Sequence, residues 1–294
     1  MGKKLYRYRT FNLEMINDYS YIHNAVINIE KWKFEAFEGL VFPSSPLYFN
    51  DPYDCEFCFQ PEVLDCTIER TTYIQLLKRR FSLKQDEKNR LLYSDNIERA
   101  LDIVLQAHGE KLSASWKNII IEALSDGMEE IRDAVRVVCL SEVFDSMLMW
   151  SHYAQNHTGY CLEYDFDETD IFHKYLYPVI YTKDRYAISK DEMSNGNTEW
   201  VYRSTCRKSD VWSYEKEWRI VMANYDKIMA QKQPDADRKY VLDLRNNIKA
   251  FYLGAKSSEE FRDEIIRFGK SKEIPVYQMV LSRNTYELKA EKIV

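Results

Sequence analysis

Leu5, Arg7 and Arg9 fall on one side of an alternating opening stretch, residues 4–10, and Tyr6 and Tyr8 on the other. Period-two alternation predicts a short strand. Residues 12–38 are expected to contain helical turns, and Gly39 then precedes Leu40-Val41-Phe42, a predicted strand ended by Pro43-Ser44-Ser45-Pro46. The period changes over residues 62–135. Leu124, Met128, Ile131 and Val135 recur at the 4-3-4 spacing of one helix face, as do Ile97, Leu101 and Val104, with heavily charged residues between. Two to four amphipathic helices with core-facing stripes are predicted there. Strands return at 137–141, 160–166, 177–181, 240–244, 248–254, 274–281 and 285–293, with Pro178 marking an edge position. Residues 147–154 read as a short helix, and Ser257-Ser258-Glu259-Glu260 opens another, where serine caps and the acids suit the positive helix end. Residues 183–199 read as a loop or charged helix with a turn. Strands outside one helical stretch predict a single α+β domain over 1–294, with a mixed or mainly antiparallel sheet and a helical insertion around 62–135.

The most unusual local composition is Trp212-Ser213-Tyr214-Glu215-Lys216-Glu217-Trp218-Arg219, followed by Ile220-Val221-Met222. Written as a continuous strand, it puts Glu215, Glu217 and Arg219 on one face and Lys216, Trp218 and Ile220 on the other. Three ionisable groups on one face make either an active-site strand or a salt-bridged scaffold beside Arg7 or Lys208. Leu47-Tyr48-Phe49-Asn50-Asp51-Pro52-Tyr53-Asp54 is centred on a turn, because proline fixes its own φ and displaces the preceding residue from the helical region. Its aromatics line a pocket or pack a core.

Composition narrows the classes. The 294 residues are 45% apolar and 14% aromatic, with 22 Tyr, 8 Gly and 7 Pro, which suits a packed core rather than low-complexity disorder. A net charge of −6 argues against nucleic-acid binding over the whole surface. Basic clusters remain at Lys3, Lys4, Arg7 and Arg9 and at Arg203, Arg207 and Lys208. The start shows no signal-peptide stretch, and no apolar run reaches about 18 residues. The six cysteines are therefore expected to be reduced thiols in a cytoplasmic protein with no membrane span. Cys55-Glu56-Phe57-Cys58, with Cys66 nearby, has zinc-like spacing but no partner pair, and Cys55, Phe57 and Phe59 alternate as a strand. His152 and His157 are five apart, one more than a metal-binding helix face requires. No metal site is expected. Walker-type, Gly-x-Gly-x-x-Gly and Gly-x-Ser-x-Gly signatures are absent from the sequence.

Several pieces recur together in an order that is itself informative. Leu5-Tyr6-Arg7-Tyr8-Arg9, Phe49-Asn50-Asp51-Pro52-Tyr53-Asp54, Trp150-Ser151-His152-Tyr153-Ala154 with His157 and Gly159, Lys208, Trp212, and Glu215-Lys216-Glu217-Trp218-Arg219 follow one another along nearly the whole chain. This resembles a bacterial domain-of-unknown-function family with the signatures F-N-D-P, W-S-H-Y-A-x-x-H-x-G and E-x-E-W-R. That resemblance implies an accessory or defence gene of bacteria and mobile elements. More distantly, the order is similar to the ADP-ribosyltransferase superfamily, which holds NAD with an early-strand Arg or His and uses a late-strand Glu, often in an E-x-E pair. The chain departs from the arginine-specific class in lacking its Ser-Thr-Ser strand; only Ser44, Ser45 or Ser141 stand in.

What the resemblance implies is an ADP-ribosyltransferase that moves ADP-ribose from NAD to a protein or nucleic-acid acceptor, as a toxin or antiviral-defence effector with an antitoxin or other defence-system partner. Breaking the nicotinamide–ribose bond creates an oxocarbenium-like centre that a fixed carboxylate stabilises. Glu217 is the first candidate, and Glu215 would orient or deprotonate the acceptor. Arg7, with Arg9 as its rival, would pair with the pyrophosphate or hydrogen-bond the cofactor's ribose. Tyr48, Phe49, Asn50, Asp51, Tyr53, Trp150, His152, Tyr153 and His157 would line the cofactor site, with tyrosines stacking on nicotinamide. Two rivals stand beside this reading. One is a non-catalytic ligand-binding or sensor module, in which Asn50, Asp51, Trp150, His152 and His157 form the pocket. The other is a metal-dependent nuclease using Asp51, Glu215 and Glu217, with Lys208 on phosphate.

Overall fold

A computed structural model of the chain describes residues 2–11, 15–19, 26–60, 70–113, 131–170, 172–189, 191–192, 199–222 and 241–294. Its principal elements, in order, are strand β1 (Lys3–Arg9), helices α1 (Lys31–Ala36), α2 (Arg70–Arg80), α3 (Gln85–Tyr93) and α4 (Ile97–Ala107), strand β2 (Arg136–Ser141), helix α5 (Met147–Tyr153), strands β3 (Tyr160–Phe166) and β4 (Leu176–Pro178), helix α6 (Glu199–Thr205), strands β5 (Glu217–Met222) and β6 (Ile248–Leu253), helix α7 (Glu259–Lys272), and strands β7 (Val276–Leu281) and β8 (Leu288–Lys292). The contacts group into two compact units. One comprises Met1–Ser45, Arg136–Tyr181 and Asp210–Val294; the other comprises Pro46–Val135 and Thr182–Ser209.

The first unit carries an eight-stranded sheet in the order β8-β7-β6-β3-β1-β2-β5-β4. β6 and β7 run parallel, and the other neighbours run antiparallel. The fold is α+β with a mostly antiparallel sheet, and Pro178 lies in the edge strand β4, as its missing N–H requires.

Register decides which side chains share a face. Tyr6 and Glu217 both lie opposite Ser141, so Tyr6, Ser141 and Glu217 project from one face of the sheet. Arg7, the next residue along β1, projects from the other. Each face has its own core. Leu5, Leu140, Leu162 and Ile220 pack with Trp32 and Ala36 of α1 and Phe261 and Ile265 of α7. Tyr8, Cys161, Ala250 and Tyr252 pack with Met149, Trp150 and Ala154 around α5. β1 is consequently covered on both sides. α7 begins with Ser258 accepting a hydrogen bond from the Phe261 N–H, has Glu259 and Glu260 in its first turn, and ends at Glu273 in the left-handed conformation.

The second unit contains α2 to α4, whose core joins Tyr73, Leu77, Leu91, Leu101, Val104 and Leu105. The predicted stripe Ile97, Leu101, Val104 belongs to α4, which Asn96 caps through the Arg99 N–H. Leu124 and Met128 of the other predicted stripe, Cys66, Tyr240 and the turn predicted within 183–199, at Asn195-Gly196-Asn197, lie outside the described residues.

Two local expectations are corrected. Between residues 12 and 38 the chain places Met15–Tyr19 antiparallel to Val26–Glu30 before α1 begins. The β-branched run Val26, Ile27, Ile29 favours extended backbone over helix. Only Cys58–Phe59 of the predicted 55–59 strand is extended, because Cys55 takes a positive φ of 56° in the turn before it.

Candidate functional site

The stretch 212–219 is not one strand. Asp210–Glu215 forms a 3-10 turn, Lys216 takes a left-handed φ of 44°, and the strand begins at Glu217. The turn is tied to β2 by the Ser141 hydroxyl donating to the Glu215 carbonyl at 2.6 Å and by the Glu142 N–H donating to the Lys216 carbonyl at 3.0 Å. Glu217 and Arg219 share a face, as alternation predicts, whereas Glu215 arrives from the turn. Arg219 grips Glu217 through two bonds, Nε to Oε1 at 2.8 Å and a second guanidinium nitrogen to Oε2 at 2.9 Å. Arg219 is 0% exposed and Glu217 5%, so the pair forms a buried bidentate bridge within one strand. The buried Glu215 carboxylate accepts a hydrogen bond from the Tyr153 hydroxyl at 2.6 Å.

Tyr153 comes from α5, which starts at Ser146, whose hydroxyl accepts from the Met149 N–H. Met149, Trp150, Tyr153 and Ala154 form the stripe that faces the sheet. Trp150 is anchored by its indole N–H donating to the Phe144 carbonyl at 2.7 Å and meets Tyr8 edge-on at 5.2 Å. His152 Nδ1 lies 3.2 Å from the Tyr214 hydroxyl and within ring-contact distance of Trp212. The W-S-H-Y helix and the E-x-E turn thus meet through side-chain contacts that include Tyr153–Glu215, His152–Tyr214 and His152–Trp212.

After α5 the chain takes three consecutive left-handed residues, Gln155, Asn156 and His157, at φ of 51°, 54° and 70°. Such backbone costs about 1–2 kcal/mol per residue away from glycine, somewhat less for Asn. Bonds from the Asn156 N–H to the Ser151 carbonyl and from the His157 N–H to the Trp150 carbonyl hold it. Gly159 follows because a Cβ there would lie 2.2 Å from the Arg9 carbonyl oxygen. His157 stacks on Trp150, and its Nε2 lies 3.1 Å from the Ser151 hydroxyl. Burial, helped by the Lys256 charge, lowers the imidazole pKa, so its neutral form is favoured. Its Nδ1 is buried with no hydrogen-bond partner among the described residues.

Arg7 and Arg9, expected on the cofactor, are engaged elsewhere. Arg7 Nε lies 2.6 Å from Glu35 Oε1 and Arg9 Nε 2.8 Å from Glu35 Oε2, on the α1 face. A second Arg7 nitrogen donates to the Cys139 carbonyl at 3.0 Å. The placement of Arg7 beside Glu217 is corrected: they project from opposite faces of the sheet. Glu35 was missed by sequence reasoning. Its signal is a charge on the same helix face as Trp32 and Ala36, where an unpaired carboxylate would be costly.

Tyr48, Phe49, Asn50, Asp51 and Tyr53 belong to the second unit. Asp51 accepts from the Tyr53 N–H at 2.9 Å and its carbonyl from the Asp54 N–H at 3.1 Å, so the F-N-D-P stretch is a turn stabilised by its own aspartate. Tyr48 and Tyr53 are exposed, Tyr48 at 84%. The described cysteines are free thiols. No helix among the described residues is long and apolar enough to cross a membrane.

Residues 149–220 match a family model described as Protein of unknown function (DUF2971). The match starts in α5 and ends in β5, so it spans both parts of the Tyr153–Glu215 contact. No curated protein and no solved structure matches the chain.

Proposed function

We propose that this chain is an NAD-dependent enzyme of the ADP-ribosyltransferase kind, with Glu215 rather than Glu217 as the working carboxylate. The observation that carries the proposal is the 2.6 Å hydrogen bond from Tyr153 to the buried Glu215, which holds one carboxylate oxygen in a fixed place beside an aromatic and histidine cluster. A preorganised carboxylate in a low-dielectric setting suits stabilisation of the oxocarbenium-like centre formed as nicotinamide leaves. In this reading the C–N bond to nicotinamide breaks, nicotinamide leaves with the bonding pair, and an acceptor nucleophile closes on the ribose carbon and gives its proton to Glu215 or to solvent. Trp150 and His157 set the position of α5, Tyr153 orients Glu215, and Glu217 with Arg219 secures the strand that carries the turn. Arg7 has no part in the reaction. The acceptor is a protein or nucleic acid, and a bacterial toxin or phage-defence setting with an antitoxin-type partner follows from the motif resemblance. The test is nicotinamide release from NAD by the purified protein with candidate acceptors. Release that disappears in Glu215→Gln supports the reading, and an undetectable wild-type rate overturns it.

The closed Glu217–Arg219 and Arg7–Glu35 pairs favour a second reading, a ligand-binding module without catalysis. Saturable binding of NAD with no nicotinamide released in the presence of any acceptor distinguishes it.

A further inference from the structure

The second unit contains a cavity of about 370 Å³ that plays no part in the reading above. Its volume is in the range of small-molecule sites. Among the described residues, Lys183, Arg185, Arg207 and Lys208 line it against two carboxylates, Glu56 and Asp184. The lining also includes Tyr53 and Tyr186, each carrying an arginine over its ring: Arg185 at 5.6 Å from the Tyr53 centroid and Arg207 at 4.9 Å from that of Tyr186.

Several of these groups are held in place. The Tyr186 hydroxyl donates to Glu192, whose carboxylate also takes the Ser189 N–H at 3.0 Å, the Ser189 hydroxyl at 2.9 Å and Arg203 at 3.2 Å. Arg185 is tied to Glu56 at 3.1 Å, and Lys208, buried, lies 3.4 Å from Asp54. Two donors, by contrast, are buried with no hydrogen-bond partner among the described residues: the Ser204 hydroxyl, on a residue only 5% exposed, and Arg207 Nε. Both residues line the cavity. Buried donors of this kind are normally satisfied, and leaving one unmade costs about 1–3 kcal/mol. Both donors belong to residues of the cavity wall, and hydroxyl and guanidinium groups of this kind pair with anionic oxygens.

We infer that this cavity binds a nucleoside diphosphate, its phosphate oxygens on Ser204 and Arg207 and its base against Tyr53 and Tyr186. Paired basic groups and hydroxyl donors suit phosphate oxygens, and the arginine-backed tyrosine rings suit an aromatic base.

The experiment is isothermal titration of the full chain with ADP, pyrophosphate and adenosine in turn. ADP is expected to bind saturably at one site per chain and more tightly than either fragment. Arg207→Gln is expected to weaken ADP about tenfold or more, and Ser204→Ala about threefold or more, since a hydrogen bond to a charged group is the interaction removed. Melting curves accompany both variants. If Arg207→Gln melts far below wild type, Lys183→Ala, on an exposed side chain, carries the charge test with an expected loss of about threefold. No ADP binding by wild type, or binding that none of these substitutions weakens, overturns the inference. Pyrophosphate binding as tight as ADP binding overturns the aromatic half of it. Glu215→Gln should retain ADP binding, which separates this site from the proposed catalytic one.

Discussion

Glu35→Gln is the substitution that most clearly separates a structural role for Arg7 from a cofactor-binding one. In the native protein Glu35 receives Arg7 at 2.6 Å and Arg9 at 2.8 Å, with Arg7 7% exposed and Glu35 3%. The amide keeps the shape but removes the counter-charge, so the Arg7 guanidinium stays buried with the Cys139 carbonyl and a neutral neighbour. Breaking a buried pair from one side costs about 3–5 kcal/mol. Arg9 is about one-third exposed and turns to solvent at little cost. At roughly 2–4 °C per kcal/mol for a unit of this size, melting should fall by about 6–20 °C. The pH dependence provides a second reading of the same pair. Burial pushes the Glu35 carboxyl up, and Arg7 and Arg9 more than offset this, holding it below its ordinary value of 4.5. A depressed native pKa gives stability that is fully present above about pH 4.5 and is lost as pH falls through the native value. The gap between wild type and Glu35→Gln, followed by circular dichroism melts, should therefore be widest near neutrality and narrow in acid. Arg7→Met combined with Glu35→Gln should cost less than the two single changes added together, because the two side chains interact directly. A Glu35→Gln protein that melts within about 2 °C of wild type at pH 7 would refute the reasoning, given the coupling expected of a buried pair.

Three further outcomes follow from particular contacts. Gly159→Ala should lose about 3 kcal/mol or more in a urea melt, because its Cβ would meet the Arg9 carbonyl oxygen at 2.2 Å in a position fixed by the left-handed turn before it. Ser258→Ala should cost about 1 kcal/mol by removing the acceptor for the Phe261 N–H at the start of α7, while Ser258→Asp should restore it. Tyr153→Phe should slow nicotinamide release about tenfold or more through the lost hydrogen bond to Glu215; an unchanged rate would detach Tyr153 from the site.

Much of the element pattern is legible in the chain itself. The alternation of Leu5 to Arg9, the Ile97-Leu101-Val104 stripe, Pro178 at an edge and the serine before Glu259 each correspond to an element in its expected form, because these signals act over a few residues. The candidate site was harder to read for two physical reasons. The first is local: a left-handed Lys216, a residue with no glycine or asparagine to announce it, breaks the alternation that would have aligned Glu215 with Glu217. The second is non-local. Whether Arg7 faces Glu217 depends on β1 pairing with β2, more than 130 positions later in the chain, and on β2 pairing with β5. A shift of one residue exchanges every side chain between faces, and no local pattern encodes that register. The charged partner that occupies Arg7, Glu35 on α1, was visible only as an acid on an apolar helix face.

We propose Glu215, held by Tyr153, as the working carboxylate, with the Arg7 face outside the reaction. Nicotinamide release from NAD, normalised to folded protein, tests it in Glu215→Gln and Arg7→Lys side by side. A catalytic carboxylate of this kind contributes about a hundredfold or more, so Glu215→Gln should fall by at least that factor while Arg7→Lys keeps the wild-type rate per folded molecule. A full rate in Glu215→Gln, or a folded Arg7→Lys protein as inactive as Glu215→Gln, would contradict it.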